Sequence, residues 1–339
     1  MFHLDAAGAE RLRLRPTPTL VRQHGSLWVK HEDQCHGQYG GIFMRKLEWL
    51  LPAARDRGGE LLTMGPVSSP WVLATALAGR QLGLRLHAVL WPAPDTPHVR
   101  AHARVLHARV EQIWRAPSQR LAPLVLAQAA ISSRLLAWFP PWVLPAGGSS
   151  NLGDLGAVEV GLELGRQVQA GIVPEPSAVY VALGTGGTAA GVHAGLRLAG
   201  LRSELVAVEV MGRGATATAR LRLRMMSLQG ALRRLGAPSF ALDGVRVVAA
   251  APRGFGTVDE TLRSGLRVAE SIDVGVDPLV MARVFGVAGA EPGRERLVVH
   301  SGSTAPLGSL LADALDEVPP SLSPLLLAAE ASSGSRGTA

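Results

Sequence analysis

Residues 184–191 read GTGGTAAG, between an apolar run, AVYVALG, and a helical pattern, VHAGLRLAG. A strand that turns through glycines into a helix makes an anion cradle. Unpaired backbone N–H groups and the positive end of the helix dipole converge on one spot, and the glycines let a phosphate come close. Gly184, Thr185, Gly186, Gly187 and Thr188 are therefore the candidate ligand-binding residues. Taken alone the loop stays open to several readings. Gly184, Gly186 and Ala189 satisfy the G-x-G-x-x-A form of the dinucleotide fingerprint, and Glu209 ends the next strand where a ribose-binding acid would stand. A dinucleotide-binding oxidoreductase is one possibility, a site for another phosphate-bearing ligand a second, and a tight turn without a ligand a third.

Other groups of reactive side chains are weaker. His31, Glu32, Asp33, Cys35 and His36 bring metal-ligating types together, but their spacing matches no zinc motif, and no metal is expected. His98 and His102 lie four apart on a predicted helix, without the acid of an H-E-x-x-H pattern, and read as a solvated helix face. Ser69 lacks a G-x-S-x-G setting and an assignable base. The sequence has two lysines, Lys30 and Lys46.

The elements that position these residues alternate strand and helix along the whole chain. The strands read as short continuous apolar runs (ELLTMG, RLHAVLW, AVYVALG, ELVAVEV, RLVVHSG), the signature of a parallel sheet covered on both faces. Long predicted helices include IFMRKLEWLLPAARDRG, closed by Gly58–Gly59, and NLGDLGAVEVGLELGRQVQAG. In such folds ligands sit beyond the carboxyl ends of the strands. The informative loops are then HEDQCHGQYGG, GPVSSP, PAGGSS, GTGGTAAG and HSGST.

At 339 residues and 47% hydrophobic, the chain can bury a large core. Its net charge of +7 comes almost wholly from arginine. The basic runs, RLRLR near residue 11 and ARLRLR near 219, alternate with leucine and read as solvated faces, so no nucleic-acid partner is expected. Cys35 is the single cysteine, which excludes an internal disulfide and points to a reducing compartment. Asp5 and Glu10 interrupt any signal-peptide pattern, and no apolar run reaches the ~18 residues of a membrane span. A cytoplasmic protein without a membrane partner is expected. Trp138 and Trp142 in WFPPW read as packing residues, and the last residues, 326–339, as a disordered tail.

Several blocks together resemble one family. KHED, then Gly40–Gly41, then RKLEWLLPAA is similar to the K-R-E-D…G-G-N-K-x-R-K-L-E pattern of 1-aminocyclopropane-1-carboxylate deaminases and D-cysteine desulfhydrases. GPVSSPW stands where that family has G-G-I-Q-S-N. PAGGSSNLGDLGAVE resembles its P-x-G-G-S motif, GTGGTAAG its phosphate loop, HSGST its H-T-G-G, GFG its G-Y-G and DPLVMARV its D-P-V-Y-T-G-K-A. The blocks keep the family order over about residues 25–310. The chain is thus identified as a fold-type-II pyridoxal-phosphate (PLP) protein of the tryptophan-synthase β superfamily. The resemblance implies two three-layer α/β domains with mainly parallel sheets: a large one, 1–48 plus 156–325, and a small one, 49–155. It also implies PLP, a small amino-acid substrate and a homodimer.

The same alignment of motifs puts the family's Schiff-base lysine, the K of G-G-N-K, at Phe43, whose phenyl ring can neither condense with a carbonyl nor move a proton. Lys46 is three residues along the same helix, ~300° around and ~4.5 Å up the axis, and reads as a surface or inter-domain lysine. The family's Q-S-N is Ser68, Ser69 and Pro70 here. Its two tyrosines, placed near the substrate, are Phe255 and Val280. Ser301 stands where the family faces the pyridine nitrogen with threonine. The expectation is a catalytically degenerate member with a retained phosphate site, binding PLP non-covalently if at all. The alternatives are an active lyase or deaminase using Lys46, and the dinucleotide-binding oxidoreductase.

Overall fold

The computed structural model describes residues 4, 12–14, 18–36, 39–55, 58–136, 140–212, 214–252, 254–255, 257–291, 295–302, 310 and 317–327. Two mainly parallel sheets organise them. The larger has six strands: β1 (Val21–His24), β2 (Leu27–Lys30), β8 (Ala178–Leu183), β9 (Glu204–Glu209), β10 (Val245–Ala249) and β11 (Arg296–Val299), in the order β1-β2-β11-β8-β9-β10. All neighbours are parallel except β1 and β2. The smaller sheet is wholly parallel, in the order β6-β4-β3-β7, from β3 (Glu60–Pro66), β4 (Arg85–Trp91), β6 (Gln112–Arg115) and β7 (Trp142–Val143).

Each sheet is covered on both faces, which is why its strands are apolar at successive positions. On β8, Val179 and Val181 pack with residues of α5 (Asn151–Gln169), α6 (Gly187–Leu198) and α7 (Thr216–Arg234). Tyr180, between them, faces the other way, into a core with α8 (Glu260–Ser271) and α9 (Met281–Gly289). In the smaller sheet Leu61 and Leu86 share a core with α1 (Ile42–Arg55), α2 (Pro70–Gln81) and α3 (Pro97–His107), while Leu62 and Val89 pack with α4 (Ala122–Leu136). The result is three layers around each sheet, an α/β architecture.

Helices α1 and α5 link the two halves and run against each other. Gly156 makes this approach possible: a Cβ there would collide with the Arg45 carbonyl. The expected domain limits, 48/49 and 155/156, both fall inside these helices.

The elements differ from the sequence reading in three places. Residues 21–24, not among the strands read from the sequence, form the edge strand β1 of a hairpin turning at Gly25 (φ +58°). Its sequence, VRQH, has no apolar run because an edge strand buries little. Leu326 and Leu327, expected in the disordered tail, form β12 and pair with β5 (Ala93–Pro94). His102 is not on a solvated face; it is on the buried face of α3 with Val99, Val105 and Leu106. Trp138, Gly256, Ser303 and Thr304 of the HSGST loop, and residues 328–339 lie outside the described residues.

Candidate functional site

The glycine loop leaves β8 at its carboxyl end and enters α6. Gly186, the N-cap, has φ +99°, a backbone conformation that side-chain-bearing residues avoid, and it supplies no side-chain cap. The first-turn N–H groups of α6 are therefore open to an external anion. Gly187 faces the other way. A Cβ there would strike Asp154 Oδ1 and Ser149 Oγ, so the loop rests on α5 and the PAGGSS segment. The Ser149 and Thr185 hydroxyls meet at 2.5 Å across the same contact.

Under the loop, Asp154 gathers two cations. Lys46 Nζ lies 3.4 Å from Asp154 Oδ1 and donates to the Gly147 carbonyl at 3.0 Å. Arg224 Nε donates to Asp154 Oδ2 at 2.5 Å. Lys46 is thus no surface lysine: it is 1% exposed. Burial pushes its ammonium pKa down, Asp154 opposes that, and Arg224 adds to it. The ARLRLR run is likewise not uniformly solvated, since Leu221 is buried and Arg224 turns in to Asp154 while Leu223 is exposed.

A cavity of about 160 Å³ opens beside the loop. Phe43, Ser69, Pro70, Phe255, Val280 and Ser301 line it together with Gly184, Thr185, Gly186 and Thr188. Residues from six separated segments of the sequence thus converge here. Lys46 and Gly187 are not in the lining. The Phe43 ring meets Trp71 edge to face, with centroids 5.5 Å apart. Ser69 caps α2, its hydroxyl accepting the Val72 N–H at 3.3 Å, and Pro70 occupies the first helical position. The Ser301 hydroxyl lies 3.4 Å from Met281 Sδ. Asp277, the acid that opens the DPLVMARV block, is the charged side chain of the described lining and accepts the N–H groups of Leu279, Val280 and Met281. Its signal was present: an acid followed by proline at a helix start.

The other candidates lie apart from the cavity. Lys30 Nζ bonds Glu163 at 2.6 Å and Thr19 at 2.8 Å, and Arg45 bonds Glu32 and Glu163, all buried. His31 bonds Asp33 at 3.0 Å and His24 at 3.2 Å. Among the described residues no group of three or more His, Cys, Asp or Glu is arranged to hold a metal. Glu209 is committed to the loop that follows it, accepting the N–H groups of Met211 and Gly212 at 2.7 and 3.1 Å. No helix among the described residues is long and apolar enough to cross a membrane.

The family model for pyridoxal-phosphate dependent enzymes matches residues 8–278. The chain belongs to this family. It is 31% identical over 321 residues to nocardicin C-9′ epimerase of Nocardia uniformis subsp. tsuyamanensis, a match covering 91% of this chain and 94% of that protein. It is 36% identical over 195 residues to D-cysteine desulfhydrase of Serratia proteamaculans (strain 568), covering 54% of this chain and 57% of that one. Its fold is that of a solved 1-aminocyclopropane-1-carboxylate (ACC) deaminase homologue: TM-score 0.77 at 21% identity, over 92% of this chain and all of the other.

The residues of this member of the pyridoxal-phosphate family fit one half of that cofactor. The uncapped start of α6, with Gly186 at its N-cap, suits the phosphate. The cavity is near the ~150 Å³ that accepts one aromatic ring. Neither lysine of the sequence, Lys30 or Lys46, is among the residues that line the cavity.

Proposed function

We propose that this chain is a catalytically degenerate member of the ACC deaminase/D-cysteine desulfhydrase group of its family. It holds a phosphate-bearing ligand at Gly184–Thr188, without a covalent bond to lysine. If that ligand is PLP, it binds reversibly, with Ser301 toward the ring. One observation carries the reading: the Phe43 ring stands in the cavity against Trp71, while the Lys46 ammonium is engaged by Asp154 and the Gly147 carbonyl. The bound cofactor would supply electron withdrawal from an attached amine, and a lysine in the cavity would speed its loading and release. The substitutions at Phe255, Val280 and Pro70 support the same conclusion, since none of these side chains moves a proton.

The reading extends to a homodimer, with 1–48 plus 156–325 as one domain and 49–155 as the other, and, from the single cysteine and the absence of a signal-peptide pattern, to the cytoplasm. The two separate sheets support that division.

The alternative, an active lyase or deaminase through Lys46, requires this side chain to leave a buried ion pair and enter the cavity. An oxidoreductase is opposed by Glu209, whose carboxylate is engaged by its own loop.

The test is equilibrium dialysis against pyridoxal phosphate, followed by borohydride reduction and intact mass. Ligand that binds yet dialyses away, with no mass added after reduction, is the expected result. An adduct on Lys46 overturns the reading.

A further inference from the structure

The sequence has two tyrosines, Tyr39 and Tyr180. Tyr180 gives its hydroxyl to Glu291 at 2.7 Å. Tyr39 lines the cavity and is 4% exposed. Its backbone N–H donates to His36 Nδ1 at 3.4 Å, but among the described residues its hydroxyl has no hydrogen-bond partner. Nor is that oxygen among the buried polar atoms sealed off from open space, so the space it borders is the cavity. Other hydroxyls of the lining already have a protein neighbour: Ser69 the Val72 N–H, Thr185 the Ser149 hydroxyl and Ser301 Met281 Sδ. A phenol that is buried and unpaired costs free energy until something accepts its O–H.

Tyr39 lies between β2 and α1, and the glycine loop follows β8. Strand β11 separates β2 from β8, so the two segments leave the sheet two strand spacings apart, about 10 Å. A Cβ at Gly41 would strike the Ser301 and Gly302 carbonyls, and one at Gly302 would strike Asp277 Oδ2. The segments that carry Tyr39, Ser301 and Asp277 are therefore packed together, to one side of the cradle at α6. Burial pushes the Tyr39 phenol pKa up, and the charge of Asp277 adds to that, so the phenol stays a neutral donor. The Asp277 carboxylate is already served by the N–H groups of Leu279, Val280 and Met281. Its charge disfavours a second anion here, and leaves an uncharged acceptor as the fitting partner for Tyr39.

We propose that Tyr39 is a ligand-binding residue of the cavity, which donates its O–H to an uncharged oxygen or ring nitrogen of the ligand, away from the anionic group held at α6. The inference rests on the anion-site reading above and assigns the residue that reads the remainder of the ligand. Phe255 and Val280, where the resemblance expects tyrosines, offer no hydroxyl, and Tyr39 supplies one from a different loop. A site built to give a hydrogen bond discriminates against a ligand that cannot take it, because the donor is then left unpaired.

Isothermal titration of the full chain and of Tyr39→Phe tests this with two probes. One is pyridoxine 5′-phosphate, which carries uncharged hydroxyl oxygens and cannot condense with amines. The other is inorganic phosphate, read by competition. Pyridoxine phosphate should bind Tyr39→Phe about three- to tenfold more weakly than wild type. Inorganic phosphate, too small to span from α6 to Tyr39, should bind both chains alike. The ligand-free variant should melt with the wild type, since the deleted hydroxyl has no partner among the described residues. Equal affinity of both chains for pyridoxine phosphate overturns this inference and leaves the anion site standing. So does a variant that melts lower or loses inorganic phosphate as well, because the hydroxyl would then serve the fold. Failure of pyridoxine phosphate to bind the wild type overturns the anion-site reading and this inference with it.

Discussion

The ring of Phe43 stands edge-on to the indole of Trp71, with centroids 5.5 Å and planes 65° apart. The indole is itself fixed: its N–H donates to Thr63 Oγ1 at 2.8 Å, and that hydroxyl donates to the Leu144 carbonyl at 2.9 Å. The side chain at the position the resemblance gives to a lysine is thus part of an ordered aromatic wall.

Phe43→Ala should accordingly destabilise the protein. The loss of a half-buried phenyl and its aromatic pairing sums to about 2–3 kcal/mol. Urea unfolding measures this. A double-mutant cycle with Trp71→Ala should return a coupling of ~0.5–1.5 kcal/mol; a coupling near zero would mean the two rings do not support each other.

Asp154 joins Lys46 to Arg224 beneath the glycine loop. Asp154→Ala leaves Lys46 buried without its carboxylate and should cost about 3–5 kcal/mol. Adding Lys46→Met to that variant should recover part of the loss, because the stranded charge is removed. Thermal melts of the single and double variants decide it; equal melting of both would show that Lys46 does not depend on Asp154.

Acid should weaken the fold below about pH 6.5. Burial pushes His102 down to about 3, with His98 adding to the shift, and burial pushes His193 down to about 4. The unfolded chain binds these protons first, so stability is complete above the unfolded value near 6.5 and declines as pH falls toward the folded values. At pH 5 each histidine should cost about 2 kcal/mol. Stability measured from pH 7 to 5 should fall, and His102→Leu should flatten the slope by about half. An unchanged slope would remove His102 from the account.

A second acid step should follow. Burial alone would raise the carboxyls of Glu32 and Glu163, but Arg45 and Lys30 outweigh it and hold both below the ordinary carboxylate range. Their stabilisation is present above the unfolded value near 4.5 and is lost as pH falls below it. Glu163→Gln should reduce the loss of stability between pH 5 and 3, measured by denaturant unfolding, relative to wild type.

The sheet strands and the cavity loops were legible in the sequence for a physical reason. A strand covered on both faces, such as AVYVAL, must be apolar at every position, and a turn such as GTGG must be glycine where a side chain would strike Asp154 and Ser149. Phe43, Ser69, Pro70, Phe255, Val280 and Ser301 were each traceable by motif, and they share one cavity. What stayed hidden depends on pairing between distant segments. Lys46 on α1 and Arg224 on α7 meet Asp154 on α5, and nothing local marks either cation as inward-facing. Asp154 itself sits in the first turn of a helix, where an acid ordinarily complements the dipole. His102 read as exposed because a histidine pair without an accompanying acid was weighed only as a metal site, yet it shares its helix face with Val99, Val105 and Leu106 and is buried with them.

The absorbance spectrum of the purified protein with pyridoxal phosphate, taken beside that of Phe43→Lys, tests the central claim most directly. The wild type should show no band at ~410–420 nm and should retain no cofactor after borohydride and dialysis, while Phe43→Lys should gain the band. A yellow wild-type protein whose cofactor borohydride fixes to Lys46 would contradict the account.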